Sequence, residues 1–161
     1  MSEYQIIRFC APTLAGLKTA SLFCCDAPDE AELLGQLRHW NTSLAPKGLQ
    51  MLPLRIWNGR ALIYLYRPKA LARDLACEDA ACLLNGSGYD GTEPSGCLRC
   101  LMDRLQCQKD GFPHEIGLFL GYPPEDVRGF IENETRNYKF TGYWKVYGDE
   151  EKARTLFAKY R

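Results

Sequence analysis

Along the first third of the chain, apolar residues come in short clusters separated by proline, glycine and acid. Tyr4 to Cys10 (YQIIRFC) is one such cluster, closed by Ala11-Pro12, and it predicts a strand. Pro12, placed at a first helical position, then opens a short helical turn through Leu14, Leu17 and Lys18. Ser21 to Cys25 predicts a second strand. The acidic, proline-containing segment Asp26 to Glu30 starts a helix, because Leu33, Leu37, Trp40 and Leu44 recur at helical spacing up to the stop Pro46-Lys47-Gly48.

The sharpest local signal is a β-hairpin. Leu52 to Trp57 and Arg60 to Tyr66 flank Asn58-Gly59, a pair that tolerates the positive φ angles of a type I′ turn. Leu52, Leu54 and Ile56 are expected on one face, with Ala61, Ile63 and Leu65 packed nearby. Pro53 has no N–H for the ladder, so its strand is expected at an edge or with a bulge. Helical patterns follow over Lys69 to Asp74, Glu78 to Leu84 and Gly96 to Gln108, the last after a polar, glycine-rich loop from Asn85 to Ser95. Pro113 opens a helix through Leu120, Gly121 turns the chain, and Pro123 to Asp126 starts another helix running through Ile131. Tyr138 to Tyr147 alternates like a half-buried strand, and Asp149 caps a last helix with Ala153, Leu156, Phe157 and Tyr160 on one face. Strands early, helices in the middle, and a strand and helix last predict an α+β fold. Its small antiparallel or mixed sheet includes the hairpin at about 51–66 and packs against helices, all in one domain, 1–161.

Composition narrows the class. Of 161 residues 46% are hydrophobic and 25% charged, with 20 basic against 20 acidic side chains, which excludes a disordered, collagen-like or strongly polyionic chain. The neutral sum hides an asymmetry. From Leu33 to Arg73 there is no Asp or Glu, while seven Lys or Arg give that stretch +7; the remaining residues hold 13 basic and 20 acidic side chains, hence −7. The Met1-Ser2-Glu3 start has no basic leader region, and no apolar run approaches the ~18 residues of a membrane span, so a cytoplasmic protein with no membrane partner is expected. In reducing cytosol the eight cysteines are expected as thiols, metal ligands or small hydrophobes.

Several stretches carry a resemblance in combination: Cys10 to Lys18, Leu44 to Leu49, Asn58 to Tyr64, Phe112 to Val127 (FPHEIGLFLGYPPEDV) and Tyr143 to Asp149 (YWKVYGD). Over nearly its whole length the chain resembles the bacterial domain-of-unknown-function family 3793. That resemblance implies a cytosolic protein of anaerobic bacteria and brings no catalytic residue set with it.

Candidate chemistry therefore comes from the residues. Cys10 stands where the first strand is expected to meet the turn with Pro12 and Thr13, a place where a helix N-terminus lowers a thiol pKa or holds an anion; Lys18 would neutralise that anion. The plainer alternative is a buried hydrophobe beside a solvated lysine. Cys97, Cys100 and Cys107 fall on one side of a helix, and with Cys77 or Cys82 as a fourth ligand would hold zinc or an iron–sulfur cluster; equally, they widen the stripe of Leu98, Leu101 and Leu105. His114, at a helix start, is a candidate acid or base, or simply a hydrogen-bonding residue. Segment 114–131 has helix-turn-helix spacing, but Glu125 and Asp126 aimed at phosphates weigh against nucleic acid. Lys139, Tyr143, Lys145 and Tyr147 alternate cations with aromatics on the outer face of the late strand, a surface suited to stacking a ring and pairing an anion. The leading expectation is a domain binding a small anionic ligand or cofactor between the Cys10–Lys18 turn and the Lys139–Tyr147 strand. If it is a thiol-dependent enzyme, Cys10 is the nucleophile or redox thiol, His114 the acid or base, and Lys18 and Lys145 the anion clamps, with Thr13 in the binding turn. The alternatives are a nucleic-acid or protein-binding module, through the basic hairpin or segment 114–131, and a metal or iron–sulfur protein.

Overall fold

The computed structural model describes residues 1–107 and 111–161. Its centre is a three-stranded antiparallel sheet of β1 (Ala20–Asp26), β2 (Gln50–Trp57) and β3 (Arg60–Tyr66) in the order β1-β3-β2. β3, in the middle, alternates between two covered faces: Ala61, Ile63 and Leu65 enter one core, Leu62, Tyr64 and Tyr66 the other. The hairpin turn is as the sequence predicts, with φ +46° at Asn58 and +73° at Gly59. β2 is both an edge strand and bulged, since Pro53 pairs with Ile63 while Arg55 pairs with Leu62. The extra residue corrects one expectation. It reverses the side-chain parity, so Leu52 and Leu54 pack with Tyr64, and Ile56 packs on the opposite face with Ala61 and Ile63.

The first face is covered by α1 (Glu3–Leu14) and α2 (Glu30–Leu44), the latter capped by Asp29 and followed by a 3₁₀ turn, Ala45–Lys47. α1 replaces the predicted first strand. Ser2 and Gln5 close a reciprocal capping box, and Ile6, Cys10 and Thr13 are buried at i, i+4 and i+7 while Tyr4 and Ile7 remain 69% and 52% exposed. That is helical periodicity, and a short apolar run cannot by itself distinguish it from a strand. Pro12 accordingly lies in the last helical turn and opens no new helix. Arg67 closes the end: its Nε and Nη2 donate to the carbonyls of Thr13 and Leu14, each at 2.9 Å.

The second face carries α3 (Pro68–Ala76), α4 (Glu78–Gly86), α5 (Pro94–Cys107), the single turn α6 (Ile116–Phe119) and α7 (Pro124–Asn133). Gln108, the expected end of α5, lies outside the described residues. Tyr64, fully buried, donates from its hydroxyl to the Phe119 carbonyl at 2.5 Å and so ties the sheet to α6. The predicted late strand is instead a miniature hairpin, β4 (Phe140–Thr141) and β5 (Lys145–Val146), followed by α8 (Glu150–Tyr160). Gly142 is the reason. A Cβ there would collide with the Phe157 ring, so the chain bends against α8, and Trp144, Val146, Ala153 and Phe157 form a third small core. Helices around two small antiparallel sheets make this an α+β fold. Among the described residues no helix is long and apolar enough to cross a membrane.

Candidate functional site

Between the α6–α7 pair and the late hairpin lies a cleft of about 420 Å³. Its making starts with Asp126. This first-turn residue of α7 is buried, and its carboxylate accepts from Trp144 Nε1 at 2.8 Å and from the backbone N–H groups of Tyr147 and Gly148, both at 2.9 Å. Three donors on one buried carboxylate fix the hairpin to the helix start. Next to it, the Asp149 N–H donates to Glu125. The two carboxylates expected to confront phosphate are thus turned toward the hairpin. Tyr147 lies over Gly129, where any Cβ would meet its ring.

The walls are aromatic. Trp144 stacks on Tyr122 with centroids 4.6 Å apart and meets Phe157 edge-on at 4.5 Å. At the mouth, exposed His114 sits edge-on to Phe130 at 4.9 Å and tilted toward Phe112 at 5.6 Å. Lys145 and Tyr143 line the cleft from the hairpin, and Leu22 closes it from β1. Lys145 also holds its ammonium 4.2 Å from the Tyr138 ring centre. Volume, aromatic lining and few polar groups are the features of a small-molecule site.

The residues singled out in the sequence divide between this cleft and elsewhere. His114, Tyr143 and Lys145 line it. Lys18 is not part of the lining but holds its ammonium 5.5 Å from the ring centre of the wall residue Tyr122; desolvation by burial, only partly offset by Cys10, lowers its pKa from 10.5 to about 8. Cys10 does not reach the cleft. It is fully buried in the core beneath α1, and desolvation pushes its thiol up to about 12, against the smaller opposing effects of Lys18 and Ser21. A thiol held protonated in a core is the reverse of an activated nucleophile. Thr13 is buried as well, its hydroxyl sharing a 2.7 Å hydrogen bond with Ser21. Lys139 donates to the Gly148 carbonyl at 2.9 Å and closes the open end of the hairpin.

The three helical cysteines also separate. Cys97 is buried with its thiol toward the Gly91 carbonyl, Cys100 is half-buried and Cys107 exposed. Among the described residues no three His, Cys, Asp or Glu side chains converge as metal ligands. Their helix does contribute a polar cluster absent from the sequence reading. Buried Glu115 accepts from the Tyr89 hydroxyl at 3.0 Å and pairs with Arg104 at 3.3 Å, while Arg104 also donates to the Ser87 carbonyl. Burial, reinforced by Glu115, drives the Tyr89 hydroxyl far up, so it remains a donor.

Sequence reasoning missed Phe112, Tyr122, Phe130 and Trp144 as cleft walls and Asp126 as its anchor. The only local signal was the density of aromatics around the two turns at Gly121 and Gly142.

The family model described as "Protein of unknown function (DUF3793)" matches residues 6–161. The chain belongs to the DUF3793 family. No curated protein and no solved structure matches it.

Proposed function

We propose that this protein is a cytoplasmic small-molecule-binding domain, whose ligand places a planar apolar body among the cleft aromatics and an anionic group at Lys145, with His114 as a hydrogen-bonding partner at the mouth. The observation that carries this reading is the combination of an aromatic cavity of about 420 Å³ with a lysine on its lining. The Asp126 oxygens are taken up by Trp144, Tyr147 and Gly148, so this carboxylate faces its own donors and Lys145 is the group left to meet an anion. In this reading the cleft beside Tyr122 replaces the site expected between Cys10 and the late strand. Eight unbridged cysteines support a reducing compartment.

The test uses 8-anilinonaphthalene-1-sulfonate, an anionic aromatic probe, titrated into native protein. Saturable one-to-one binding is expected, weakened about tenfold by Lys145→Met and by Phe130→Ala, and unchanged by Lys159→Ala on the exposed side of α8. Absence of saturable binding, or equal affinity in wild type and Lys145→Met, overturns the reading.

A further inference from the structure

Beyond His114 the cleft has a neighbour. A second cavity, also of about 420 Å³, is lined by Ile131, Glu134 and Thr135, and it shares Phe112, His114 and Phe130 with the first. The three shared rings form the partition, with His114 at 5.6 and 4.9 Å from the two phenylalanines. His114 and Phe112 are exposed and Phe130 is half-buried, so the partition stands at the surface rather than in the core.

Among the described residues the two cavities offer opposite charges outside any ion pair or hydrogen-bond network. Lys145 is the cationic side chain of the first and Glu134 the anionic side chain of the second; among the described residues neither is in an ion pair. Asp126, the acid on the first cavity's lining, has its oxygens engaged by three donors, which leaves Lys145 as the charged side chain there without a hydrogen-bonded partner. Glu134 is carried into place by an unusual backbone: Glu134, Thr135 and Asn137 all have positive φ, at +47°, +73° and +62°. Non-glycine residues, a β-branched threonine among them, adopt this region only when their surroundings impose it.

We infer that the ligand is dipolar, an apolar ring system with an anionic group at Lys145 and an ammonium-type cation at Glu134, passing the His114 partition. This rests on the cleft reading above and specifies its ligand class. Each end charge meets a complementary side chain, half-buried Lys145 at one end and exposed Glu134 at the other, so that a ligand of reversed polarity would place like charges together.

Competition against the bound anilinonaphthalene probe tests it with three rigid molecules: biphenyl-4-carboxylate, 4-phenylbenzylamine and 4′-(aminomethyl)biphenyl-4-carboxylate, each also in its one-ring form to vary the span. The zwitterion of one length is expected to bind at least fivefold more tightly than the matching carboxylate, and the amine alone most weakly. Glu134→Gln is expected to abolish that gain while leaving carboxylate affinity unchanged. Zwitterions no tighter than carboxylates at either length, or a gain that survives Glu134→Gln, overturns the dipolar inference and leaves the cleft reading standing. Carboxylates that fail to displace the probe at all overturn both.

Discussion

Asp126 shows how much one side chain decides. Replacing it with alanine leaves the Trp144 indole and two backbone N–H groups without acceptors in a buried setting, so Asp126→Ala is expected to cost about 3–5 kcal/mol, measured by denaturant unfolding. A loss under 1 kcal/mol would mean that water or another group replaces the carboxylate. Lys18 and Cys10 give a pH signature. Between pH 8 and 10.5 the unfolded chain keeps a Lys18 proton that the folded protein has shed, so this group makes stability rise with pH. Between pH 9.0 and about 12 the folded protein keeps the Cys10 proton that the unfolded chain has lost, so that group makes stability fall. From pH 8 to 9 the lysine dominates, because an unfolded thiol of pKa 9.0 is only beginning to lose its proton. The stability of wild type relative to Lys18→Met is therefore expected to increase by up to about 1 kcal/mol over that unit; a flat difference would show that Lys18 is solvated in solution.

At the scale of elements, α7 and the late hairpin are fitted through absent side chains. In a helix interior alanine is favoured over glycine by about 1 kcal/mol, but at Gly129 the new methyl would enter the Tyr147 ring. Gly129→Ala is expected to destabilise by about 1–3 kcal/mol despite its helix propensity, and a raised melting temperature would contradict the packing. α1 makes the same point through its C-terminus. Arg67 donates to two of its terminal carbonyls, so Arg67→Met is expected to cost about 2 kcal/mol, whereas Arg60→Met at the exposed hairpin end costs under 0.5.

The whole molecule has a graded stability. The main sheet lies between two extensive cores, while β4, β5 and α8 share a small one and join the rest largely through Asp126 and the Tyr122–Trp144 stack. Native-state hydrogen exchange is expected to find β3 opening only with global unfolding, and β4–β5 opening at lower free energy, with protection rising when the cleft is occupied. Equal protection in both regions would show one cooperative unit. The basic stretch from 33 to 73 is absorbed in part by this architecture. Arg67 caps α1 and Arg55 lies over Trp57 at 4.9 Å, whereas Arg38, Lys47, Arg60 and Lys69 are exposed.

What was legible in the sequence was whatever local chemistry governs. Asn58-Gly59 specifies its turn, the acidic Asp26 to Glu30 segment starts α2, Asp149 caps α8, and the spacing of Leu33, Leu37 and Leu44 gives the buried stripe of α2. Two segments were misread because their state depends on what packs against them. Residues 4–10 are apolar enough for a strand, but only the placement of β1 determines that Ile6 and Cys10 face inward together. Residues 138–147 alternate like one strand, but Phe157, ten residues beyond, bends them at Gly142. The site lies furthest from local information. His114 and Lys145 were visible as chemistry, yet the cavity between them exists because Asp126 gathers donors 18 to 22 residues away, a pairing that only tertiary structure makes.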